Sequence, residues 1–279
     1  MKNIMEKFAA LFIVAALFVS CSDETTDLLD EGNYVGVNSE LYSGLWGCAS
    51  TVADVADQAL ILEALRGNLL EPTENAGTEV WNIWKYSDLN GNTLADPAGY
   101  YRVIMNVNDY VAHVDKYRKE NPTALNFEEK YGVTFDLYIS TAIRYKVWAY
   151  MMLAKIYGEA IYFDDPLSEY QDIAKYPKLG FDQIIDKCLE LMNTGMYGVD
   201  GKQITRWRTF LFPSITGENE GHMRYDRYQF TPQCLLAELY LYKRDYHNAA
   251  INAMTEITLG GRTGGGECYI MPLRGAYSS

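Results

Sequence analysis

One run constrains this fold more than any other. "AIRYKVWAYMMLAKIYGEA", Ala142 to Ala160, has no helix breaker before Gly158 and is apolar on every side of a helix except at Arg144, Lys146 and Lys155. A helix of that kind cannot lie on a surface with one face in water; neighbours must enclose it on several sides. The reading is a long helix over about 127–157, ended by Gly158, with the remaining elements packed around it.

Those elements also read as helices. Val52, Val55, Ala59, Leu62 and Leu65 recur at steps of three and four, which gives an amphipathic helix over 51–66. Glu71-Pro72-Thr73 breaks it, and 71–97 is dense in Gly, Asn, Asp and Pro and reads as a loop region. Tyr101, Ile104, Met105, Val107 and Val111 mark a helix over 98–119, closed by Asn121-Pro122. A further helix covers 181–192, residues 195–228 are irregular, and 231–243 and 246–259 form a last pair joined at Asp245-Tyr246. No alternating β-branched run is long enough for a substantial sheet. The fold class is therefore mostly α, with long irregular loops.

Charge narrows the partners. The chain of 279 residues has a net charge of −13 and a pI near 4.7, with no basic stripe, which argues against nucleic acid. Its 23 tyrosines suit packed helices that also line wet surfaces. The five cysteines form no CxxC and no Cys/His cluster of zinc spacing, so neither a metal site nor a cofactor is expected.

The N-terminus addresses the chain. Lys2 and Lys7 precede an apolar run, Phe8 to Val19, too short to span a bilayer as a helix and suited to a signal peptide. It ends Phe18-Val19-Ser20-Cys21, which resembles a lipobox. That resemblance implies a lipoprotein signal peptide over 1–20 and lipidation at Cys21. The acidic residues Asp23, Glu24, Asp27, Asp30 and Glu31 then make 21–40 a solvated tether. "CSDET" is similar to the surface-export signal of lipoproteins in Bacteroidetes-type bacteria, which implies the outer face of the outer membrane.

The last helix pair, "CLLAELYLYKRDYHNAAINAMTEI", resembles a tetratricopeptide repeat: Leu236, Ala237 and Tyr240 on one helix, Ala249 and Ala253 on the next. Leu153, Ala154 and Tyr157 repeat the pattern, so repeat-like units are expected at about 127–193 and 231–259. The order of motifs resembles the SusD/RagB family of nutrient-binding outer-membrane lipoproteins. The motifs are the lipobox and acidic leader, "ELYSGLWGCASTVADVADQALILEALRGN", "GYYRVIMNVNDYV", "AIRYKVWAYMMLAKIYGEAIYFDDPL" and the closing helix pair. Ile161 stands where the family has proline, and family members are roughly twice this length. On that resemblance 41–279 is the N-terminal portion of a SusD-like helical domain, and the chain looks truncated.

The resemblance implies a binder and not an enzyme. It would be a cell-surface protein that captures oligosaccharides or peptides and passes them to a SusC-like TonB-dependent transporter. The alternative is a helical-repeat scaffold, or a truncated remnant that binds no nutrient.

"WNIWKYSDLNGN" is the candidate ligand-contact stretch. Trp81, Trp84 and Tyr86 offer flat apolar faces for a sugar ring, and Asn82, Asn90 and Asn92 offer amides for its hydroxyls. Trp81 and Trp84 share a face if the stretch is helical and oppose each other if it is extended. The competing reading makes both tryptophans core plugs. Asp88, Asn90 and Asn92 echo a calcium loop, yet Thr93 and Gly99 stand where glycine and glutamate are required. "GGRTGGGE" lacks the Lys and Ser/Thr of a phosphate loop. Asp164-Asp165 reads as a solvated turn whose carboxylates point apart. "RWRTFLFPS" reads as an extended segment over the helices.

Overall fold

The computed structural model describes residues 38–87, 89–120, 135–167, 170–196 and 231–262. Cys21 and its tether up to residue 37, the beginning expected at 127–134, Asp88, "RWRTFLFPS" and "GGRTGGGE" beyond Arg262 lie outside these residues.

Described in chain order, the protein is mostly helical. α1 is Asn38–Arg66, α2 Thr78–Trp84, α3 Ala98–Glu120 and α4 Phe135–Tyr157. β1 (Glu159–Ile161) and β2 (Lys178–Gly180) follow, then α5 (Phe181–Met196), α6 (Pro232–Tyr242) and α7 (Tyr246–Arg262). α4 is the axis. Ser140 through Ala154 are buried without a break, Arg144 and Lys146 included. It packs on α3, α5, α1 and α6, which is the enclosure that an apolar perimeter demands. Burial draws the Arg144 guanidinium down to about 10.

α1 begins well before residue 51. Leu41, Leu45 and Cys48 extend the buried stripe of Val52, Val55, Ala59, Leu62 and Leu65 by two turns, so the same apolar face carries the helix back into the stretch read as tether. Where α3 starts beside it, a Cβ on Gly99 would stand 2.9 Å from the Val55 Cγ2. The two helices meet as closely as glycine allows. Gly158, at φ +75, closes α4 with its N–H on the Ala154 carbonyl. β1 and β2 pair antiparallel, Ala160 opposite Leu179, and are the only strands among the described residues.

α6 and α7 form a hairpin. The Thr231 hydroxyl accepts from the Cys234 N–H at 3.2 Å, and Pro232 occupies the first turn, where its missing N–H costs nothing. Asp245 caps α7 by accepting from the Asn248 N–H. Cys48 and Cys188 are buried free thiols, and Cys234 is half-buried. Burial pushes Cys48 up to about 12, so it behaves as a small hydrophobe. No helix among the described residues is long and apolar enough to cross a membrane.

Candidate functional site

Two polar constellations stand out, and one of them is internal. The segment after β1 is clamped to the axis. Lys146 Nζ lies 2.5 Å from Asp164 Oδ1 and donates to Asn108 Oδ1 at 2.6 Å. Asn108 Nδ2 donates to the Phe163 and Asp165 carbonyls, and the Tyr150 hydroxyl bridges the Phe163 C=O and N–H. Asp164 and Asp165 are exposed, as the solvated-turn reading expects, and each is also anchored, by Lys146 with Tyr162 and by Tyr176. Desolvation holds the Lys146 ammonium below its ordinary range while Asp164 pulls the other way. Lys146 is 4% exposed, so this network is a structural clasp rather than a ligand site.

The second constellation is on the surface and falls in the candidate stretch. It is not a plain loop: α2 and a 3₁₀ turn at Thr93–Ala95 lie within it. Because α2 is helical, Trp81 and Trp84 share a face. Their rings meet edge to face, centroids 5.6 Å apart. Both are half-buried, as is Asn82. The two indoles differ in their support. Trp84 packs on a small core of Leu62, Leu65, Ile83 and Ala95, whereas Trp81 belongs to neither core among the described residues.

Tyr86 follows at φ +57, in the left-handed position where glycine usually closes a helix. Its N–H reaches the Ile83 carbonyl and the Ser87 N–H reaches that of Asn82. A bulky residue in this conformation is strained and persists only when its surroundings hold it. Here Arg66 does so. Its carbonyl accepts the Tyr86 hydroxyl, and its guanidinium lies 4.4 Å from the ring centroid. The ring is 59% exposed all the same. Lys85 Nζ sits 4.8 Å from the Trp81 centroid.

The platform is pinned at its base. The Glu79 carboxylate accepts from the Thr93 N–H at 2.8 Å and its hydroxyl at 2.9 Å, bonds that keep the acid below its ordinary range. Asn92 is 7% exposed; it caps the 3₁₀ turn through Leu94 and donates to the Glu79 carbonyl. This correction removes Asn92 from the hydroxyl-binding amides and from the calcium echo. Asn90 is exposed. Among the described residues the Asn82 amide takes no partner, so its donors and acceptor stay open. Tyr157 and Gln58 fasten the following turn, through the Ala95 and Asp96 carbonyls.

No family model, curated protein or solved structure matches this chain. Among the described residues no cluster of His, Cys, Asp and Glu could hold a metal ion. The chemistry available at α2 is that of recognition: two indoles, an exposed phenol, one open amide and two cations. Arg66 and Lys85 escaped the sequence reading. Arg66 lies 20 residues from the ring it covers, and no local pattern signals such a pairing.

Proposed function

We propose that this protein is a surface lipoprotein that captures oligosaccharides and hands them to a SusC-type TonB-dependent transporter. The observation that carries the reading is the α2 platform, where paired indoles stand beside an exposed tyrosine and an unpartnered Asn82 amide. The apolar face of a pyranose packs on such rings, and the amide bonds its hydroxyls. The SusD/RagB-like order of motifs supports the same reading, and the lipobox-like end at Cys21 supports an outer-membrane anchor. Several acyl chains hold firmly, since each buried CH₂ contributes about 0.8 kcal/mol. Cys21→Ala is expected to leave the protein unprocessed or to release it from membranes in fractionated cells. Unchanged membrane association with unchanged mass overturns the anchor.

The platform separates its two tryptophans experimentally. Trp81→Ala is expected to weaken oligosaccharide binding by several-fold to about tenfold, from the roughly 0.5–1.5 kcal/mol that a stacked aromatic contributes beyond its area. Its melting temperature should hardly move, because Trp81 is in neither core. Trp84→Ala is expected to lower both binding and melting temperature. Calorimetry over a panel of oligosaccharides, beside thermal melts, makes the comparison. Binding of any glycan that is unchanged by Trp81→Ala removes this surface from the ligand site.

A second reading, a helical-repeat interaction scaffold or a remnant that binds no nutrient, rests on α7. Ile251, Met254 and Ile257 lie at one-turn steps and are 48%, 60% and 60% exposed. A repeat-like hairpin with an open apolar face is the geometry on which a neighbouring helix stacks. This reading gains if the glycan panel shows no binding at all.

A further inference from the structure

The cations of the α2 platform indicate what kind of sugar it takes. Four cation–ring contacts are found among the described residues. Lys146 and Lys187 lie 5.9 and 5.6 Å from the Tyr162 centroid, and each is also paired to a carboxylate, Asp164 or Glu190. Arg66 over Tyr86 and Lys85 over Trp81 have no carboxylate partner among the described residues. Among the described acids nearest in the chain, Glu63, almost one turn before Arg66, pairs with Lys155, and Glu79 holds Thr93, while Asp88, three residues after Lys85, lies outside the described residues. In a chain of net charge −13, two cations without a carboxylate partner among the described residues are thus set on the faces of the two rings best placed to meet a ligand.

A neutral sugar laid on these rings would cover the cations and return only uncharged hydroxyl acceptors for their lost water. Burying a charge without a partner is costly. A carboxylate or sulfate on the sugar reverses the balance. Arg66 offers a planar fork that matches either group in two parallel bonds, and Lys85 offers a point charge. Each cation covers one face of its ring, which leaves the other face for the apolar side of the sugar. Resting on the capture reading above, we propose that the α2 platform selects anionic glycans, those carrying uronate or sulfate groups, over neutral ones.

The test uses the soluble protein lacking its leader and matched pairs of probes. One pair is a galacturonate hexamer and its carboxyl-reduced counterpart. The other is a sulfated galactan hexasaccharide, which contains no uronate, and its desulfated form. Poly-glutamate serves as a charged probe without sugar. The anionic member of at least one pair is expected to bind about tenfold tighter than its neutral counterpart, and the pair that responds identifies uronate or sulfate as the source of charge. The preference should vanish at about 1 M salt, where the Debye length is about 3 Å. It should also vanish in Arg66→Gln/Lys85→Gln and survive in Lys85→Arg, with all variants folded by melting temperature. Neutral members binding as well as anionic ones, in a manner sensitive to Trp81→Ala, overturn the charge preference and leave oligosaccharide capture standing. Poly-glutamate binding as tightly as the acidic sugars overturns the proposal in favour of charge alone. Failure of both anionic probes overturns it as well, and failure of the neutral panel besides removes the capture reading with it.

Discussion

Tyr150→Phe is expected to lower stability by about 2–4 kcal/mol, although it removes one oxygen atom and no packing. The hydroxyl donates to the Phe163 carbonyl and accepts the Phe163 N–H, both at 2.9 Å, and burial keeps it neutral far into alkaline pH. Phe163 is 1% exposed, so water cannot replace the lost partner. Its carbonyl keeps a bond from Asn108 at 3.4 Å, but its N–H is orphaned. A buried donor left without a partner costs roughly 1–3 kcal/mol beyond the lost bond. The stack of Tyr150 on Tyr162, centroids 4.8 Å apart, survives in phenylalanine. Tyr162→Phe is the matched control. It deletes a hydroxyl bonded at 3.0 Å to Asp164, whose side chain is 59% exposed and can turn to water. That change should cost about 1 kcal/mol or less. Urea unfolding midpoints at equal slope give both figures. Equal losses for the two variants would mean that the clasp around Phe163 does not hold the β1 segment to the axis.

The same clasp shows what the sequence could and could not reveal. The apolar perimeter of α4 was legible, since no partner need be known to see that such a helix must be enclosed. Arg144 and Lys146 looked like breaks in that perimeter and are instead inside it. Lys146 is buried because Asn108 and Asp164, 38 and 18 residues away, meet its ammonium, and periodicity carries no trace of contacts at that range. α3 and α5 followed from their stripes. α2 did not: it has seven residues, its N-cap Gly77 makes no side-chain cap, and tyrosine stands where glycine would mark its end. Arg244, at φ 60, follows α6 in the same unmarked way. The aromatic stretch itself was legible as a candidate, because Trp in a polar Gly/Asn-rich segment has few structural reasons to be there. Its division into a supported Trp84 and an unsupported Trp81 was not, since that depends on which side of α2 meets α1.

That dependence makes Ile83 the residue on which the platform stands, and Ile83→Ala is expected to cost α2 about 2–5 kcal/mol of its attachment. A helix of seven residues does not persist in water by itself; nucleation is unfavourable and too few bonds follow. α2 exists because Ile83, 0% exposed, inserts between Leu62 and Leu65 of α1 and the Ala95 turn. Removing three carbons there leaves a cavity that the Glu79–Thr93 pin prevents from closing. The loss should be local, because α2 adds a satellite cluster and not the main core. Amide exchange at Lys85 and Ser87, whose N–H groups are bonded to the Trp81 and Asn82 carbonyls, should accelerate by at least about tenfold. Exchange in α4 should stay as it was. The glycan binding proposed for α2 should fall with it, although Ile83 is wholly buried, because Trp81, Asn82 and Tyr86 lose their common frame. Ile83→Val, costing about 0.5–1.5 kcal/mol, should give a smaller change of the same kind. If Ile83→Ala speeds exchange at Lys85 and Ser87 while oligosaccharide affinity holds, the ligand is bound elsewhere. If exchange there does not change, the satellite core is not what orders α2, and the arrangement of its aromatic rings needs another cause.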